Sequence, residues 1–130
     1  MFSTKQKELA VQMWEEIKDR IEEDPDLEID LFKLRFCKVH DIKWKCNCLL
    51  CEEYHHHGNP CSSECPLMRK AMTKHGDKMK EQGINCGCSN KIASDYAIAL
   101  DLDRNFNRGN YTLEKRQKAI DNIIKAIKEA

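Results

Sequence analysis

Leu9, Met13, Ile17 and Ile21 recur every four residues, with Ala10 and Trp14 widening the stripe, and this spacing predicts a helix from Lys5 to about Glu23. Ser3, with Gln6 three residues on, has the form of a capping box, and Asp24-Pro25 supplies a stop. Leu27, Ile29 and Leu31 then alternate with Asp26, Glu28 and Asp30, the period of a short strand. Leu31, Leu34, Phe36 and Val39 follow neither period well, so residues 31–45 read as an ambiguous lead into the next segment. Beyond Cys65, Pro66 is a favoured first helical residue, with Leu67, Met68, Ala71 and Met72 behind it and His75-Gly76 expected to close a short helix. Ser89 or Ser94 can start a helix through Tyr96, Ile98, Ala99 and Leu102, and Asn107 to Asn110 reads as a turn. Thr112 then caps a final helix with Leu113, Ile120, Ile123, Ile124 and Ile127 near one face.

These elements predict a mainly α protein, with a small α+β arrangement left open by the candidate strand. Its helices would surround an irregular, cysteine-rich centre stabilised by zinc. At 130 residues without an internal repeat or low-complexity linker, the chain has the length of one domain. Within it, residues 1–30 form the N-terminal helix and turn, 31–90 the metal-binding region and 91–130 the C-terminal helices. No apolar run exceeds the five residues from Tyr96 to Leu100. A membrane span needs about 20 and a secretion signal about 7–15, so a cytoplasmic protein without a membrane partner is expected.

Charge changes the picture locally rather than globally. The 22 basic and 22 acidic residues cancel, which excludes a histone-like protein held to nucleic acid by bulk charge. Residues 15–30, however, hold nine acidic side chains against Lys18 and Arg20, a net of −7. Such a run is a solvated helix face or, more sharply, a surface for a basic partner. Residues 31–45 and 66–80 each carry +4.

The chemistry sits in eight cysteines, all between Cys37 and Cys88. Clustered thiols in a chain without a secretion signal point to metal thiolates, because disulfides do not persist in a reducing cytosol. Zinc takes four ligands in a tetrahedron, and two ligands separated by two to four residues can grip it from one tight turn. Cys48-x2-Cys51 and Cys61-x3-Cys65 meet that rule and define a first site. Cys37, Cys46, Cys86 and Cys88 remain, the number a second site needs, so two zinc ions are expected. His40 can replace a thiolate there, and a thiolate-bridged cluster sharing ligands between the sites is the other arrangement. His55, His56 and His57 read either as a ligand or as an exposed turn before Gly58-Asn59-Pro60. A four-iron cluster also accepts cysteine-only ligation, but the spacing matches neither ferredoxin run. Closed four-thiolate sites leave no open position, so the zinc is expected to be structural.

The stretch Cys48-x2-Cys51-x2-Tyr54, followed by Cys61-x3-Cys65-Pro66-Leu67, resembles a group of small cysteine-rich phage-encoded accessory proteins of unassigned function. Their pattern is an N-terminal helix, a C-x2-C pair with a tyrosine close behind, then C-x2-C-P-L, a later cysteine, a tyrosine-bearing segment and an apolar C-terminal helix. Trp14, Cys86 or Cys88, Tyr96 and the Ile120 to Ile127 face match the looser positions. This chain departs in the extra residue of Cys61-x3-Cys65, the histidine run and the additional cysteines. The resemblance implies an accessory protein of the bacterial host cytoplasm and implies no reaction.

No phosphate loop, G-x-S-x-G elbow or H-E-x-x-H helix is present, and Asp101 and Asp103, two apart, would not share a helix face. An enzyme is therefore not expected. The leading expectation is a zinc-stabilised module that binds a host protein, countering a host defence or redirecting transcription. The alternative is nucleic-acid binding, in which Phe32, Phe36 and Trp44 stack bases among Lys33, Arg35, Lys38, Lys43 and Lys45.

Overall fold

A computed structural model describes residues 3–43, 64–103, 105 and 107–130. The expectations for Trp44, Cys46, Cys48, Cys51, His55, His56, His57 and Cys61 lie outside those residues.

Helix α1 spans Thr4–Glu23, and its capping box forms as the sequence predicts. The Gln6 N–H donates to Ser3 Oγ at 3.1 Å, and the Ser3 N–H donates to Gln6 Oε1 at 3.0 Å. Its apolar stripe of Ala10, Met13, Trp14, Ile17 and Ile21 is wholly buried. Helix α5, Leu113–Glu129, is capped by Thr112, whose Oγ1 accepts from the Lys115 N–H at 3.2 Å. It lies against α1 and buries Ala119, Ile120, Ile123, Ile124, Ala126 and Ile127. Between these, α4 (Asp95–Leu100) starts at Ser94, whose Oγ accepts from the Ala97 N–H. It stops at Leu100 instead of running to Leu102, because Asp101 turns left-handed at φ 58°.

Two expectations are corrected. The alternation of Leu27, Ile29 and Leu31 does not make a strand, and helix α2 occupies Ile29–Val39. A strand would put all three residues on one face, whereas Ile29 is buried and Leu31 is 40% exposed. The buried positions of α2 are Ile29, Lys33, Phe36 and Cys37, a helical stripe interrupted on paper by a lysine. Helix α3, Pro66–Gln82, is two helical pieces joined at a kink, so the expected break at His75-Gly76 is present but the chain turns helical again beyond it. His75 leaves helical geometry at φ −131° and kinks the helix, which resumes because Met79 one turn on is buried. The true stop is Gly83, left-handed at φ 65°, a conformation glycine adopts without a Cβ clash.

Buried charge organises the junction between α4 and α5. Arg116 is 3% exposed; its Nε donates to the Ala99 carbonyl at 3.0 Å and its Nη1 to the Pro25 carbonyl at 2.9 Å. Burial lowers the guanidinium's pKa and the nearby Asp101 carboxylate opposes that; an arginine in such a place stays charged. Arg116 thus ties the end of α4 and the turn after α1 to the first turn of α5. Arg116→Ala is expected to lower the unfolding free energy by about 2–4 kcal/mol, because the buried Ala99 carbonyl, the part-buried Pro25 contact and the nearby Asp101 carboxylate lose their cation. A urea-midpoint change equivalent to less than about 0.5 kcal/mol would contradict this role.

Asp101 and Asp103 lie outside any helix, so the helix-face argument does not apply to them. The Asp101 carboxylate accepts from the N–H groups of Gly109, Asn110 and Tyr111, and that of Asp103 from those of Asn105 and Asn107. The backbone bond from Asn107 is the main reason the Asp103 carboxyl sits below its ordinary value of 3.8. Both carboxylates are occupied in holding the loop that feeds α5.

Candidate metal centre

Four of the eight expected ligands belong to the described residues. Cys37, on the buried face of α2, and Cys65, immediately before α3, are each 3% exposed. Cys86 and Cys88 are half-buried, with their Sγ atoms 2.9 Å apart. None of these four side chains is without a partner. His40, the alternative ligand beside Cys37, is exposed at the end of α2 with its ring 4.2 Å from that of Phe36.

Local chemistry explains each position. Cys65 occupies the N-cap of α3, with extended backbone (φ −61°, ψ 125°), and Pro66 follows at the first helical position, where its missing N–H has no helical partner to lose. Cys86 and Cys88 flank Gly87, whose backbone lies hard against the first turn of α3: a Cβ there would fall 2.6 Å from the Leu67 carbonyl oxygen and from the Met68 N and Cα. That close approach is invisible in the linear pattern except as the glycine itself. Among the described residues no three His, Cys, Asp or Glu side chains are gathered closely enough to hold an ion.

The aromatic and basic residues considered for nucleic acid are differently used. Phe36 is buried, and Phe32 is half-buried with the Arg20 guanidinium 5.7 Å from its ring centre. Lys33 is 2% exposed; its Nζ donates to the Tyr96 hydroxyl at 2.8 Å and lies 4.7 Å and 5.7 Å from the Tyr96 and Trp14 ring centres. The Tyr96 hydroxyl in turn donates to Asp30 Oδ1 at 2.8 Å. An ammonium inside the core is tolerable here because a hydroxyl and two ring faces replace its water. Arg35, Lys38 and Lys43 remain exposed.

The acidic run behaves as a surface. All nine carboxylates between Glu15 and Asp30 belong to exposed residues. Of its two cations, Lys18 pairs with Asp121 at 2.7 Å on the surface, and the exposed Arg20 lies over the Phe32 ring. Among the described residues no helix is long and apolar enough to cross a membrane. The chain matches no family model, no curated protein and no solved structure.

Proposed function

We propose that the chain is a non-enzymatic, zinc-stabilised accessory protein of the phage type, which binds a host protein through the acidic surface of α1 and the turn that follows it. Exposed carboxylates carry this reading: nine lie along one continuous segment against two cations, one of which, Lys18, is paired with Asp121 of α5. Such a surface attracts a basic partner and speeds encounter through its field. A host defence complex or the transcription machinery is the kind of target this reading has in view. The cysteine-rich centre serves as a staple that holds the helices in place, with zinc on Cys48, Cys51, Cys61 and Cys65 and a second ion on the remaining thiols. Less supports a nucleic-acid role, since Phe32, Phe36 and Lys33 are engaged within the protein.

Pull-down from nuclease-treated bacterial lysate tests the reading. The wild type is expected to retain a specific host protein, and the combined variant Glu15→Gln, Glu16→Gln, Asp19→Asn and Glu22→Gln to lose it at least tenfold, with an unchanged helical spectrum. Binding abolished by nuclease, or indifferent to the four substitutions, would count against it.

A further inference from the structure

Helix α2 carries two stripes, and the fold uses only one of them. Ile29, Lys33, Phe36 and Cys37 face the core. Leu31, Leu34, Arg35, Lys38 and Val39 are all exposed, and their positions i, i+3, i+4, i+7 and i+8 are those of one continuous helix face. A single exposed leucine needs no explanation. Here, however, three of the four large apolar side chains exposed among the described residues stand on this one face: Leu31, Leu34 and Val39, the last of them 80% exposed. Packing fixes which stripe points out. Buried Ile29 and Phe36, with the Lys33 ammonium bonded to the Tyr96 hydroxyl, hold the helix so that a lysine is inside and the leucines near it are outside. Half-buried Phe32 packs against the core cluster, whereas Leu31 and Leu34 do not. Helix α1 is the main helical neighbour of α2 and packs on it far more sparsely than on α5.

Charge selects the occupant of the outer stripe. Arg35 and Lys38 stand exposed among its apolar positions, while the one acid of α2, Asp30, accepts from the Tyr96 hydroxyl. At the edge next to α1, Glu16 and Asp19 line a shallow groove with Arg20 and Phe32. A partner's carboxylates therefore fit on the Arg35–Lys38 side and not over that groove. A second copy of the chain does not complement the face. Two such stripes brought together would oppose like cations, and α1 offers carboxylates but no exposed large apolar side chain. We propose that the outer stripe of α2 is a docking face for an acidic amphipathic helix of a partner protein, seated on Leu31, Leu34 and Val39 and oriented by Arg35 and Lys38. This surface is separate from the acidic one on α1 and does not rest on it, so the chain has one face for each sign of partner.

Three synthetic helical peptides test the proposal by fluorescence anisotropy: one with leucines along one face and glutamates flanking them, a second with lysines for the glutamates, a third with glutamines for the leucines. The wild-type protein is expected to bind the first saturably below about 1 mM and the other two at least about tenfold more weakly. The double variant Leu31→Gln, Leu34→Gln should lose about tenfold for the first peptide. Arg35→Glu with Lys38→Glu should lose as much for it and gain affinity for the lysine peptide, a reversal that a merely damaged fold would not produce. No saturable binding of the first peptide, equal binding of the lysine peptide, or indifference to both double variants would overturn the proposal. So would tighter binding of a short single-stranded DNA or of phosphatidylglycerol vesicles through the same residues, or a dimer in sedimentation that the leucine substitutions dissolve. Amide NMR shifts of the labelled wild type, which need no variant, are expected to move most along residues 31–39; shifts centred elsewhere count against the face. The four-substitution variant of α1 should bind the first peptide as the wild type does. Loss of host-protein capture therefore leaves this proposal standing, and loss of peptide binding leaves the acidic surface standing.

Discussion

Treatment with a chelator under reducing conditions is expected, on the zinc-stabilised reading proposed above, to unfold the protein, with loss of helical circular dichroism and of a cooperative urea transition. The size of the effect follows from two magnitudes. Structural zinc contributes roughly 10–16 kcal/mol to the folding of small domains, whereas a whole domain is stable by only about 5–15 kcal/mol. Where the loss begins follows from the packing. Helix α3 packs on α5 more sparsely than α1 or α4 do, and at its start stand Cys65 and the Cys86-Gly87-Cys88 turn pressed on its first turn. Hydrogen exchange at limiting chelator should therefore open α3 before α1 and α5. Cys48→Ser is expected to reproduce the effect of chelation. A folded, metal-free Cys48→Ser protein with an unchanged urea midpoint would contradict it.

Trp14→Ala should cost about 3–5 kcal/mol, the range for deleting a large aromatic from a core. Trp14 has no exposed surface, and its ring meets Tyr96 edge to face with centres 5.9 Å apart. It also lies 5.7 Å from the Lys33 ammonium, so its removal takes one of two ring faces from a buried charge. The expected fall in melting temperature is roughly 10–20 °C, followed by circular dichroism. Trp14→Phe, which keeps a ring face and most of the volume, should lose markedly less. A change below about 1 kcal/mol in the alanine variant would show that the core collapses around the site, against the packing described.

The parts of the fold that could be read from the chain are those set by local rules. Helix α1 follows from a four-residue apolar repeat and the Ser3–Gln6 box, and α5 from Thr112 and its isoleucines. Helix α2 was obscured because its core stripe contains Lys33, which a polar–apolar reading assigns to water. The Tyr96 hydroxyl and the rings of Tyr96 and Trp14, brought in from two other helices, make that position habitable. In α3 the local stop is real but tertiary packing extends the helix past it. His75-Gly76 is a plausible local stop, but burial of Met79 makes it worthwhile for the helix to resume after the kink.

For the candidate site, the sequence by itself determined the chemistry: eight thiols in one segment, at spacings that thiophilic metals use, beside an acidic run. Those are properties of residue type and short separation, and they survive any folding of the chain. Tertiary structure decided how these residues are used. It seated Gly87 on Leu67 and Met68, paired Lys18 with Asp121, laid Arg20 over Phe32, and occupied Asp101 and Asp103 with backbone N–H groups. Each of these depends on contacts between residues that are neighbours in space or through a folded loop, where steric fit and desolvation act, and a linear spacing rule carries no information about either.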